Sequence, residues 1–143
     1  MVHVVRTFLV DRPVDVVVAF LADFSNAPRW DPGTVRCTPT STGPLRVGST
    51  WRNVSKVLGR ETELDYRLHR LDPDRVTLVG TNKTATSTDD ITVKPAPGGA
   101  EVTYNATIEL HGLAKLAAPI MKLEFERLGN LTEKKIRTTI AQL

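Results

Sequence analysis

The chain has 143 residues, 41% hydrophobic and 24% charged, with a net charge of +3. This length suits one domain, spanning residues 1–143, that can bury about 70% of its unfolded surface; neither disorder nor a need for disulfide or metal staples fits. The 19 basic and 16 acidic residues are interspersed without a run of like charge, which argues against a nucleic-acid-binding face. Cys37 is the single cysteine, so no internal disulfide can form. No apolar stretch reaches the roughly 18 residues of a membrane span. The N-terminal MVHVVRTFLVDRP is broken by His3, Arg6, Asp11 and Arg12, unlike a signal peptide. A cytoplasmic protein with no stable membrane insertion and no nucleic-acid partner is expected.

Residues 2–10 are rich in Val, Phe, Leu and Thr, which predicts a strand. Asp11-Arg12-Pro13 ends it, and proline is tolerated in the first turn of a helix. In PVDVVVAFLA, residues 13–22, Val14, Val17, Phe20 and Leu21 recur at helical spacing despite the β-branched composition. DFSNAPRWDPG, residues 23–33, is dense in turn formers and reads as a loop or a short second helix that places Trp30.

From about residue 35 to 110, short runs are punctuated by Gly43-Pro44, Gly48, Gly59, Asp72-Pro73, Gly80 and Gly98-Gly99. No segment between them is long enough for a crossover helix, so an antiparallel meander is predicted rather than βαβ units. Alternation is clearest at 102–110, with Val102, Tyr104, Ala106, Ile108 and Leu110 on one face and Thr103, Asn105, Thr107 and Glu109 on the other. Leu64, Tyr66 and Leu68 repeat it more weakly, and His69 falls on the outward face. From Leu113 to about Ala141 the period becomes helical, with a break or bend expected near Pro119. Leu113, Leu116, Ala117, Ile120, Met121, Leu128 and Leu131 form an apolar stripe, while Phe125, Ile136, Ile140 and Leu143 lie further round. Gly129 inside this helix marks a bend or a close approach to the sheet.

Three pieces together resemble the START-domain-like superfamily (SRPBCC), which includes polyketide cyclases and dehydrases and lipid-transport proteins. They are the run PVDVVVAFLADFSNAPRWDPG, the set Val47-Gly48, Trp51 and Gly59, and the final helix with Leu128, Leu131 and Lys134-Lys135 spaced as in bacterial members. The resemblance implies an α+β helix-grip fold: a curved seven-stranded antiparallel sheet around one long C-terminal helix, with two short N-terminal helices. It also implies a cavity between sheet and helix for a small hydrophobic ligand, polyketide-like, aromatic or lipid-like. The function implied is binding or transport of such a molecule, or cyclisation or dehydration of a poly-β-keto intermediate. No cofactor is implied, and both monomer and homodimer fit.

No catalytic signature stands out, so catalytic residues stay unknown. His3, His69 and His111 are too far apart in sequence to suggest a metal site. Asp72-Pro73-Asp74 and Asp89-Asp90 read as solvated turn carboxylates. The candidate ligand-binding residues are Trp30, Trp51, Asn53, Tyr66, Tyr104, Met121, Glu124, Phe125 and Leu128. Trp30 and Trp51 either pack in the core or stand at the cavity mouth; the resemblance puts Trp30 at the rim or just beneath it. Tyr66 and Tyr104 face inward and each needs a partner for its hydroxyl. Asn53 and Ser55 share the parity of Trp51 and could add polar lining. Glu124 and Arg127, at i, i+3 spacing, either pair with each other or place a polar group in the cavity.

Overall fold

A computed structural model describes residues 1–143. Strand β1 (Val2–Val10) leads into α1 (Val14–Ala22), a 3₁₀ turn (Phe24–Asn26) and α2 (Ala27–Trp30). Six strands follow: β2 (Thr34–Pro39), β3 (Thr50–Val57), β4 (Arg60–Asp72), β5 (Arg75–Thr81), β6 (Ala85–Ala96) and β7 (Gly99–Leu110). A second 3₁₀ segment (Gly112–Ala117) precedes the long helix α3 (Ala118–Ala141). All neighbouring strands are antiparallel, in the order β1-β7-β6-β5-β4-β3-β2. This is the helix-grip fold that the resemblance implies, with the long helix beginning after the change of period at Leu110.

The local causes are legible. Pro13 sits at the N-cap of α1 in an extended conformation, φ −68° and ψ 160°, and fixes the entry of the chain into the helix. Val17, Val18, Phe20, Leu21 and Ala22 are the buried residues of α1, which packs on β5 and β6. Asp23 caps the 3₁₀ turn by accepting the Ser25 N–H. Phe24 and Trp30 are thereby turned into the core.

Helix α3 departs from the expected stripe. Leu113, Leu116, Ile120 and Leu131 are exposed, the first two at 86% and 81%. Met121 of the stripe is buried, as are Ile136 and Ile140 further round, and the other buried residues of α3 are Glu124, Gly129 and Thr132. The reason is a change of phase: Leu113 and Leu116 belong to the separate 3₁₀ segment, whose geometry does not continue into the helix that Pro119 opens. Gly129 marks close approach, since a Cβ there would lie 3.0 Å from Val4 Cγ2 of β1.

Packing between helix and sheet is uneven. A main core joins Phe24, Trp30, Trp51, Leu68, Ile91, Val102, Ile136 and Ile140 with the other buried residues at the C-terminal half of α3. A small second cluster of Val2, Ala85, Ile108 and Met121 holds the N-terminal half. The space between the two clusters is not filled.

Candidate functional site

That space is a cavity of about 390 Å³, within the usual range for small-molecule pockets, about 300–1,000 Å³. The inward positions of successive strands form its walls: Tyr104, Ala106, Ile108 and Leu110 from β7, Ser87 and Ala85 from β6, Tyr66 and Leu64 from β4, and Val4 from β1. Met121, Phe125, Leu128, Gly129 and Thr132 of α3 form the roof. The open end is bordered by the β3–β4 hairpin, with Leu58, Arg60 and Glu61, and by Asn82 and Thr84 between β5 and β6.

The opposite end is polar. Asp89 is 5% exposed and its Oδ1 accepts the Tyr104 hydroxyl at 3.0 Å. Burial pushes its carboxyl up to about 7, and the charge of Asp31 adds to the shift. Asp31 follows α2 and also lines the cavity. Its Oδ1 accepts the Gly33 N–H at 3.0 Å and its Oδ2 accepts the Thr34 hydroxyl at 2.9 Å. Burial raises this carboxyl as well, against those two hydrogen bonds. Burial holds the Tyr66 and Tyr104 hydroxyls well above the ordinary range, so both are neutral donors. Tyr66 reaches towards Ser87 across Gly80, the residue paired with both on the intervening strand. Among the lining residues the only Lys, Arg or His is Arg60, at the open end.

The sequence-derived candidates separate into two groups. Tyr66, Tyr104, Met121, Phe125 and Leu128 line the cavity; Trp30, Trp51, Asn53 and Glu124 do not. Trp30 is fully enclosed behind the floor, edge-on to Tyr104 at 6.2 Å between centroids, and not at the rim. Its position follows from the buried α2 turn, which carries the ring into the main core. Trp51 packs edge-on against Phe24 and donates its Nε1–H to the Ser25 hydroxyl at 3.1 Å. Asn53 stands one layer back, donating to Thr34 Oγ1 and accepting from Ser55, which does line the cavity. Glu124 accepts from Arg127 Nε at 2.5 Å and from the Leu58 backbone N–H. These bonds hold its carboxylate below the ordinary range and tie α3 to the β3–β4 hairpin beside the opening.

Two carboxylates were not among the candidates. Asp89 does not lie in a turn: it is inside β6, and the turn reading fails for it and for Asp90. Residues 85–93 alternate, Ala85, Ser87, Asp89, Ile91 and Val93 inward and Thr86, Thr88, Asp90 and Thr92 outward, so period alone separates the doublet. Asp90 faces out and takes a two-pronged bond from Arg75, at 2.9 and 2.7 Å. Asp31 lay within the recognised DFSNAPRWDPG run, but no local pattern aimed it inward. Cys37, raised to about 11 by burial, is not an activated thiolate.

The family model for polyketide cyclase/dehydrase and lipid transport proteins matches residues 1–134. The chain belongs to this family. Polyketide cyclase/dehydrase and lipid transport proteins share a scaffold more than an activity, and the solved structures reflect that. A START superfamily protein from Mycobacterium smegmatis superposes with a TM-score of 0.81 at 13% identity, covering 98% of this chain and 97% of that one. The Zhui aromatase/cyclase from Streptomyces also gives 0.81, at 15% identity over 96% and 92% of the two chains. The di-domain aromatase/cyclase StfQ from the steffimycin biosynthetic pathway gives 0.72 at 12% identity, over 96% of this chain and 50% of that one. At these identities the likeness establishes fold alone. No curated protein matches in sequence.

Proposed function

We propose that the protein binds a small, mainly apolar molecule in the cavity between sheet and α3, with a polar group of that molecule at the Asp89–Tyr104 end. One observation carries this reading: the gap between the two packed clusters is walled by aliphatic and aromatic side chains and closed at its inner end by hydrogen-bonding groups. An unfilled gap in a core forfeits dispersion contacts, and a ligand of matching shape restores them. The family's hydrophobic ligands agree with it. Ala106 is on the β7 wall and buried. Ala106→Phe is expected to fill the cavity, keep the fold and weaken binding of a probe such as phenylbutanol by at least about tenfold in calorimetric titration. Undiminished binding in that variant would count against the cavity as the site.

A second reading has its own support. A carboxyl near neutrality, bonded to a tyrosine hydroxyl inside an apolar cavity, has the properties of a general acid–base pair. The protein would then cyclise or dehydrate a poly-β-keto chain held there. That reading requires turnover, lost in Asp89→Asn; a substrate bound and released unchanged by the native protein rejects it.

A further inference from the structure

The polar end of the cavity is one-sided in charge. Asp31 and Asp89 both border it, and Tyr66, Tyr104, Ser55 and Ser87 are neutral. Asp89 is nineteen-twentieths buried, its Oδ1 is occupied by Tyr104, and no protein donor reaches its Oδ2. That oxygen is not sealed in protein, since the only enclosed side-chain polar atom without a partner is Trp30 Nε1. It therefore borders the cavity, where an incoming group meets it. A buried carboxylate without a counter-ion is costly and is relieved by a cation or a strong hydrogen-bond donor.

Resting on the binding reading above, we infer that the ligand carries a protonated amine, seated against the Asp89 carboxylate with its apolar body along the wall towards Met121 and Leu128. Three features discriminate among head groups. An ammonium supplies charge-assisted donors to Asp89 Oδ2 and finds no competing cation at this end. An alcohol can donate one hydrogen bond but brings no charge. A carboxylate meets Asp31 and Asp89 with like charge, a juxtaposition that costs affinity.

The groups that act on Asp89 are Asp31 after α2 and Tyr104 on β7, while Tyr66 on β4 is a neutral hydroxyl that feels the Asp89 charge in turn. The nearest cation in their network is Lys135 of α3, which acts on Asp31 and donates to the Pro28 carbonyl at 3.2 Å. No Lys, Arg or His acts on Asp89 itself. Its carboxyl, at about 7 in the empty cavity, has to be ionised to hold an ammonium. Amine affinity therefore rises with pH through this range, and the ammonium of an alkylamine stays protonated throughout.

The test is a titration of the full chain with phenylbutylamine, phenylbutanol and phenylbutyrate, which share one apolar body. The amine is expected to bind at least about tenfold more tightly than the alcohol at about pH 8. Between about pH 8 and about pH 5.5 the amine should lose on the order of thirtyfold in affinity, as Asp89 is protonated before binding. In Asp89→Asn the ratio of amine to alcohol affinity should fall towards one; the native protein's pH response tests the same contact without any variant. If the alcohol or carboxylate binds as tightly as the amine, or amine preference does not respond to pH, the inference is overturned while the binding reading stands. If none of the three binds, the binding reading itself fails.

Discussion

Asp89→Asn is expected to raise the melting temperature at about pH 8 by on the order of 10 °C, and near pH 5 by somewhat under half as much. A carboxyl whose folded value is about 7 against an ordinary 3.8 binds its proton more tightly in the folded state. Between those two values the native state holds more protons than the unfolded chain, so stability falls as pH rises. The full shift corresponds to on the order of 4 kcal/mol above pH 7. Asparagine removes that cost and can still accept the Tyr104 hydroxyl. Water in the cavity would lower the gain, and half of it remains readily measurable. Asp90 and Glu124 behave oppositely: Arg75 and Arg127 hold them below the ordinary range. Their contribution is present above the unfolded carboxylate range and is lost as pH falls through their folded values. Stability of the native protein should therefore peak at about pH 4 and decline from there towards pH 7. An Asp89→Asn variant that melts lower than the native protein at about pH 8 would mean that the carboxylate is already compensated there.

Gly80→Ala is expected to destabilise the protein by about 1–3 kcal/mol or more in chemical denaturation. A Cβ at residue 80 would sit 2.3 Å from Tyr66 Cε2 and 2.5 Å from its Cζ. Tyr66 cannot simply retreat, because its ring already rests on Phe24 at 4.4 Å between centroids. The glycine is needed for space rather than for an unusual backbone conformation, a recognised use of glycine within a strand. Displacing Tyr66 also moves its hydroxyl from Ser87 and deforms the cavity floor, so probe binding should weaken together with stability. Unchanged stability would show that the β4–β5 pairing can shift to admit the methyl group, and that Tyr66 is not held as described.

Much of the fold is written in hydrophobic period. The alternation at 102–110 gives β7, and the switch after Leu110 gives α3, because one-sided burial imposes each period on the sequence. The buried face of α3 is less legible. Its centre is Gly129 and Thr132, small or polar residues where the sheet comes close or the cavity opens, while Ile120 and Leu131 of α3, and Leu113 and Leu116 of the 3₁₀ segment before it, are exposed. A stripe drawn through the most apolar residues therefore catches Met121 and Leu128 but also takes in residues that face away from the sheet. The floor of the cavity was hidden for a related reason. Adjacent aspartates usually signal a turn, yet the inward alternation from Ala85 to Val93 places Asp89 and Asp90 on opposite faces of one strand. Asp31 reaches the cavity through the tertiary path of the chain after α2, for which the sequence offers no periodic signal. Trp30 shows the converse: a conspicuous aromatic in a turn-rich segment is packing, enclosed by Phe24 and Tyr104.

Methyl-resolved NMR during titration with phenylbutanol tests most directly whether the cavity is where a ligand sits. Val4, Leu64, Ile108, Met121 and Leu128 line it, whereas Leu113, Leu116 and Ile120 are exposed and outside it. The expected result is saturable shifts in the methyl signals of the first group, with those of the second group unmoved. Shifts confined to Leu113, Leu116 and Ile120, or none up to the solubility limit of the probe, would contradict an internal binding site.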